Sequence, residues 1–165
     1  VETVSEVVAR HGGNWVESRM AQLGGQFAGI LRVEIAPGAV DALRESLLQL
    51  NAAQLQVVVV PVDVTEPQRT HRQLQLDLIG QDRPGIVKEI SQVLTNWKVN
   101  LEELHTECIS APMSGERLFV ASARLSIPDD LQVPAVSSAL EQIASDLMVD
   151  ITLAPSSGSA AKRAS

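Results

Sequence analysis

Between the alternating stretch Leu74, Leu76, Leu78 and an amphipathic helical pattern lies Gly80-Gln81-Asp82-Arg83-Pro84-Gly85. Its residue types suit reception of an anion. Pro84 fits a first-turn position, the glycines let another backbone approach closely, and the free amides of a helix start can hold a negative group. Asp82 has a competing use as the helix cap, its carboxylate accepting from an early amide, and the two readings are compatible. The segment is neither a dinucleotide-binding glycine fingerprint nor a phosphate loop ending in lysine and a hydroxyl residue.

Other reactive residues give less. His105 and Cys108 could form a base and nucleophile, but their odd spacing on a predicted strand sends the side chains to opposite faces, so an edge or buried cysteine is expected. His11 and His71 are dispersed and define no metal site; helix-end hydrogen bonds or surface contacts are the expected roles. The acid pairs Glu102/Glu103 and Asp129/Asp130 give no acid and base geometry either. Neighbouring strand residues face apart, and Asp129/Asp130 follow Pro128 where a helix is expected to start. No catalytic residue, metal or cofactor is assigned.

The elements that must carry these residues recur along the chain. Val1, Val4, Val7 and Val8 share one helical face in Val1 to Arg10, and Ile86, Ile90, Val93, Leu94 and Trp97 share another in Ile86 to Trp97. A shift of 86 positions pairs Ser5 with Ser91, Val7 with Val93, Asn14 with Asn100 and Glu17 with Glu103. From Phe27 onward the shift is 92, pairing Phe27 with Phe119, Arg32 with Arg124 and Ile35 with Ile127, so the second copy carries six extra residues around Ala111 to Glu116. This is an internal duplication.

Each copy alternates its periods in the same order. Phe27, Gly29, Leu31, Val33 and Ile35 alternate inward, as do Phe119, Ala121, Ala123, Leu125 and Ile127. Second helices follow, with stripes Val40, Leu43, Leu47, Leu50 and Val136, Leu140, Ile143, Leu147, and then final strands at Leu55 to Val60 and Met148 to Leu153. The pattern predicts an α+β fold: tandem ferredoxin-like domains with antiparallel sheets and helices on one face. The first domain spans residues 1–62, a linker 63–71, the second domain 72–154 and a flexible Ser/Gly/Ala tail 155–165. The basic linker residues Arg69, His71 and Arg72 are expected to solvate the domain junction. The first copy lacks a counterpart of the leading strand around Leu74 to Leu78, and a polypeptide extending upstream of Val1 is expected, since losing that strand exposes sheet edges and the valine face.

The 165 residues are 45% hydrophobic, 20% charged and 2% aromatic, with 20 acidic and 13 basic side chains for a net charge of −7. That composition supplies cores for one ordinary or two small domains and excludes a large multidomain enzyme. It also argues against direct nucleic-acid binding, and no recognition helix or basic arm is present. One cysteine forms no internal disulfide or thiolate cluster, which fits a reducing cytoplasm. No run approaches the roughly 20 apolar residues that span a bilayer, and no membrane contact is expected.

The text LIGQDRPGIVKEISQVLTNWKVNLEELHTE, with ETVSEVVARHGGNWVESRMAQLGGQFAGILRVEI in the first copy, resembles the tandem ACT family of amino-acid-binding regulatory domains, and within it the transcriptional repressors of the glycine cleavage system. The resemblance runs from Val1 to Leu153 and implies regulation without catalysis. It implies a small amino acid, glycine in the first instance, bound near the first loop and an interface between modules. It supplies Gly80, Asp82, Arg83, Pro84, Gly85 and Asn100 as ligand contacts, with Asn14 the match in copy one. Amides around Gly85 could hold the ligand carboxylate, Asn100 could bond either end of it, and Asp82 could attract the ammonium. Arg83 could neutralise the carboxylate, although an isolated surface arginine ordinarily stays solvated. A homo-oligomer and a transcription-factor partner are further implications. The alternatives are a structural dimerisation or partner-binding module, and the regulatory fragment of a folate-linked deformylase.

Overall fold

The computed structural model describes residues 1–53, 55–62, 71–112 and 114–156. It divides into two compact units, Val1–Glu66 and Pro67–Ser165. Most of the linker, 63–70, and the tail from 157 onward lie outside the described residues.

The second unit is the fuller one. It runs β3 (His71–Gln81), α3 (Ile86–Asn96), β4 (Asn100–Ser110), β5 (Arg117–Pro128), α4 (Val133–Leu147) and β6 (Val149–Pro155). The sheet order is β4-β5-β3-β6, every neighbouring pair antiparallel. Alternation fixes its two faces: Leu74, Leu76 and Leu78 of β3 lie level with Leu125, Ala123 and Ala121 of β5, and all six are buried. The apolar stripes of α3 (Ile86, Ile90, Val93, Leu94) and α4 (Val136, Leu140, Ala144, Leu147) close the core on that face. The sheet's other face carries Gln75, Asp77, Ser122 and Arg124.

The first unit contains α1 (Glu2–Arg10), β1 (Asn14–Leu23), β2 (Gln26–Glu34) and α2 (Val40–Gln49), with short 3-10 turns at Pro37–Ala39 and Leu50–Ala53. β1 and β2 form a two-stranded antiparallel sheet. The whole chain is thus α+β, with four helices and two antiparallel sheets among the described residues.

The duplication is visible in backbone detail. His11 and Trp97 end α1 and α3 with φ/ψ of −91°/7° and −90°/6°. Gly12 and Lys98 follow in the left-handed region at φ 71° and 55°. The amides of Gly13 and Val99 then donate to the carbonyls of Val8 and Leu94 at 2.9 and 2.8 Å. A bulge opens each next strand, at Trp15/Glu17 and at Leu101/Glu103. The copies part at the hairpin tip. Gly24 and Gly25, both with positive φ, make a two-residue turn in the first, whereas the second spends Ala111 to Glu116 on the connection, closed by the Ala111 amide donating to Glu116 at 2.8 Å.

Two expectations fail in the first unit for one reason. Leu55 to Val60 is not a strand, and Phe27, expected inside, is 60% exposed. In the second unit β6 hydrogen-bonds only to β3, and β5 is flanked by β3 on one side. Without a counterpart of β3 among the described residues, the segment has no ladder and β2 has an open edge. The core there is Val7, Val8, Leu43 and Leu47, with Val4, Val33, Ile35, Leu50, Val57 and Val59 packed on it.

Candidate functional site

The turn from Asp82 to Gly85 joins β3 to α3. Gly85 is the residue before the helix, at φ 98° and ψ −11°, and its carbonyl accepts the first helical bond from Glu89 at 3.0 Å. A side chain added at Gly85 would meet nothing within 4 Å, so the space over this backbone is open. No side chain caps α3. That corrects the cap reading of Asp82: its amide donates to the Arg117 carbonyl at 3.0 Å, and its carboxylate lies 3.5 Å from the Arg117 guanidinium. The ladder between β3 and β5 runs one residue past Gln81, and that holds Asp82 against β5, away from the helix start. Pro84 also shifts in role, standing in the turn two residues before α3 rather than in its first turn.

The two glycines of the motif do different work. Gly80 pairs with both Phe119 and Val149, and a Cβ there would fall 2.4 Å from Val149 Cγ1 and 2.8 Å from its Cα. It lets β6 pack closely on β3 and offers no open backbone. Gly85 alone presents exposed backbone at the helix start.

Arg83 departs from the expected solvated side chain. It is partly buried, and its Nε and Nη2 are buried without a hydrogen-bond partner. Buried guanidinium nitrogens ordinarily have acceptors, so an anion reaching them would supply what the protein does not.

Asn100 is not brought to this turn. It opens β4, level with Ser126 of β5 and through it with Gln73, at the far end of the sheet from Gly80 and Phe119. The 11 residues of α3 separate the two ends, about 16 Å at the helical rise. The topology imposes this, because a helix starting at the turn must cross the sheet before β4 can begin. Asn14 repeats the placement, exposed and opposite Glu34 after α1. One module therefore does not close Gly85 and Asn100 around one small molecule.

Between α3 and the sheet lies a cavity of about 30 Å³, lined by apolar residues including Leu76, Leu78, Ile86, Ile90 and Leu94, with Ser91 the one polar lining residue. That is room for about one water and far below the several hundred Å³ of ordinary ligand pockets. It does not house an amino acid.

The remaining candidates resolve into structural contacts. His105 and Cys108 face opposite sides, level with Ser122 and Phe119, and both are exposed because β4 is an edge strand. His105 Nε2 lies 3.0 Å from Glu103. Glu102 and Glu103 do not face apart: the bulge at Leu101/Glu103 lets both carboxylates reach Arg124, Glu102 at 3.8 Å and Glu103 closer. Asp129 and Asp130 lie in a turn, and α4 starts only at Val133 with Gln132 before it and Pro in its first turn. Arg72 donates to the carbonyls of Asp129 and Leu131 there, so it pins that turn. His11 ends α1 and bonds the Ser46 hydroxyl of α2 at 2.9 Å. Arg117 is the one site residue that sequence reasoning missed, being 35 positions from Asp82 and linked to it only through sheet register. Among the described residues no group of three His, Cys, Asp or Glu could hold a metal, and no helix is long and apolar enough to cross a membrane.

Comparison with functionally curated proteins gives no match. Among solved structures the chain is similar to an unknown protein from Galdieria sulphuraria, at 29% identity and a TM-score of 0.74 over 93% of this chain and 88% of that one. It is similar in fold to a protein provisionally named glycine cleavage system transcriptional repressor, at 18% identity and a TM-score of 0.63 over 92% and 86% of the two chains. The formyltetrahydrofolate deformylase of Pseudomonas putida KT2440 matches over 50% of this chain and 28% of its own at 17% identity, with a TM-score of 0.43, too low to carry an argument. Residues 1–60 and 68–145 each match a model of the ACT domain. With both halves so matched, the chain belongs to the ACT-domain family as a tandem of two such domains.

Proposed function

We propose that this is a non-catalytic regulatory protein that senses a small amino acid, glycine first among them, and modulates transcription of the glycine cleavage system through a protein partner. The observation that carries the reading is the turn before α3, where the open backbone of Gly85, an uncapped helix start and two unpartnered nitrogens of Arg83 offer donors to a carboxylate. The Asp82 carboxylate, about two-thirds buried and paired with Arg117, stands beside it for the ammonium.

The second half of the site comes from another copy. β4 is an exposed edge strand, with Asn100 at one end and the turn at the other end of the sheet. Two copies pairing antiparallel along β4 about a two-fold axis would bring each Asn100 end toward the other's turn end. A ligand at that junction links its own concentration to assembly, and it shifts a partner surface to the extent that it favours one arrangement. The net charge of −7 favours a protein partner over DNA.

Titration calorimetry with glycine, then serine, alanine and other small amino acids, tests the reading, alongside light-scattering mass. Saturable binding of a panel member, lost in Asn100→Ala and Arg83→Met with the fold retained and accompanied by dimer formation, is the expected result. Unchanged affinity in both variants rejects the site. The small size of the cavity favours a second reading, a partner-binding or dimerisation module without ligand. Absence of binding across the panel, with the dimer intact, would decide for it.

A further inference from the structure

The outward face of the second unit's sheet is polar over only part of its length. Strand register sets Glu107 of β4, Val120 of β5, Ile79 of β3 and Asp150 of β6 level in one row across all four strands. The next row toward the hairpin tip holds Ile109 and Leu118. Residues level in a ladder point to the same face, so four aliphatic side chains adjoin there. Ile79 and Ile109 are 43% and 37% exposed, and Leu118 and Val120 partly so. The first copy does not repeat the arrangement: Ala21, Leu23, Gln26 and Ala28 hold the positions of Glu107, Ile109, Leu118 and Val120. Carboxylates close the patch at both ends of its middle row. Glu107 and Asp150 are exposed, and so is Asp77, one row further from the tip, which accepts a hydrogen bond from the Gln75 amide at 3.0 Å. Among the described residues no basic side chain pairs with any of the three. The cations of this face are engaged elsewhere, Arg124 with Glu102 and Glu103, and His105 with Glu103.

We infer that this face of the second unit docks an amphipathic helix of a partner protein, with the helix's apolar stripe on the aliphatic patch and basic residues at Glu107 and Asp150. The central strands β3 and β5 are hydrogen-bonded on both sides, so the middle of the face offers no free backbone group. An occupant must therefore satisfy its own backbone, as a single helix does. Charge selects its flanks. A second copy of this face would bring its own carboxylates and no free cation, whereas lysine or arginine would give Glu107 and Asp150 the partners that the fold does not supply. Neighbouring strands lie about 4.8 Å apart, so these two acids, at opposite edges of the sheet, stand about 14 Å from each other. At the helical rise that span is about nine or ten residues. The fitting sequence carries a basic residue at each end of such a stretch, with apolar residues at i, i+3, i+4 and i+7 between them. The inference does not depend on amino-acid binding at the turn before α3.

Methyl NMR of the full chain tests it with three synthetic helical peptides. The first has a leucine stripe and arginines about ten residues apart; the second has glutamates in place of the arginines; the third keeps the arginines and replaces the stripe by serines. The first is expected to bind saturably and to shift the methyl signals of Ile79, Ile109, Leu118 and Val120, leaving those of the buried Leu74 and Ile90 in place. The other two should not saturate over the same range. The double variant Glu107→Gln, Asp150→Asn, changed only at exposed positions, should keep its spectrum and bind the first peptide about fivefold more weakly, the worth of two exposed ion pairs. Glu107→Lys, Asp150→Lys should transfer the preference to the glutamate peptide. Equal binding of the arginine and glutamate peptides, unchanged affinity in the charge variants, or shifts confined to methyls elsewhere would overturn the inference. So would patch methyls that move with protein concentration alone, since a second copy would then cover the face.

Discussion

Gly80 and Gly85, five positions apart in one motif, respond to alanine for different reasons. Gly80→Ala drives a methyl into Val149, and such overpacking costs about 1–3 kcal/mol. At Gly85 space is free but φ is 98°, and an L-residue there costs about 1–2 kcal/mol in backbone strain. Urea denaturation should show both losses. Only Gly85→Ala should change amino-acid response, because Gly80 faces β6. Arg83 makes a sharper prediction. Replacing a guanidinium whose buried nitrogens lack partners by methionine should leave the ligand-free protein as stable, or more stable by up to about 2 kcal/mol, while removing the ligand response. A clear loss of ligand-free stability in Arg83→Met would mean that the charge is compensated within the fold.

Among the elements, the turn after each first helix offers a comparison built into the molecule. Gly12 and Lys98 hold the same left-handed conformation, and only one is glycine. Lys98→Gly should therefore raise stability by about 0.5–1 kcal/mol, read as a higher urea midpoint of the second unit. Leu125, fully buried on β5, should cost about 2–5 kcal/mol on truncation to alanine. These elements were legible because periodicity reports local facts: Ile86, Ile90, Val93 and Leu94 announce α3, and the shift of 86 announces its twin. What escaped was set by partners distant in sequence. The Asp82 to Arg117 pairing and the separation of Asn100 from Gly85 are properties of strand register and helix length. Leu55 to Val60 has strand composition, but a strand is a relation between two chains of backbone groups, and composition reports only one of them.

Taken whole, the chain has cores of unequal size. Among the described residues, four form the buried core of the first unit and seventeen that of the second. Burial of apolar area sets stability, so a urea titration followed by hydrogen exchange should show the first unit opening at lower denaturant and the second later, in two steps rather than one. Coincident loss of protection in both units would refute independent opening.

The hairpin tips, a two-residue glycine turn in one copy and a longer connection in the other, have a practical consequence. The second copy carries six more residues than the first at this corner of the domain, and the strands on either side keep the equivalent pairing. The Gly24–Gly25 tip is thus a port for engineering. A tetracysteine tag or a single dye-bearing loop grafted there would report on the first domain from a position that the fold, in its other copy, has shown it can lengthen.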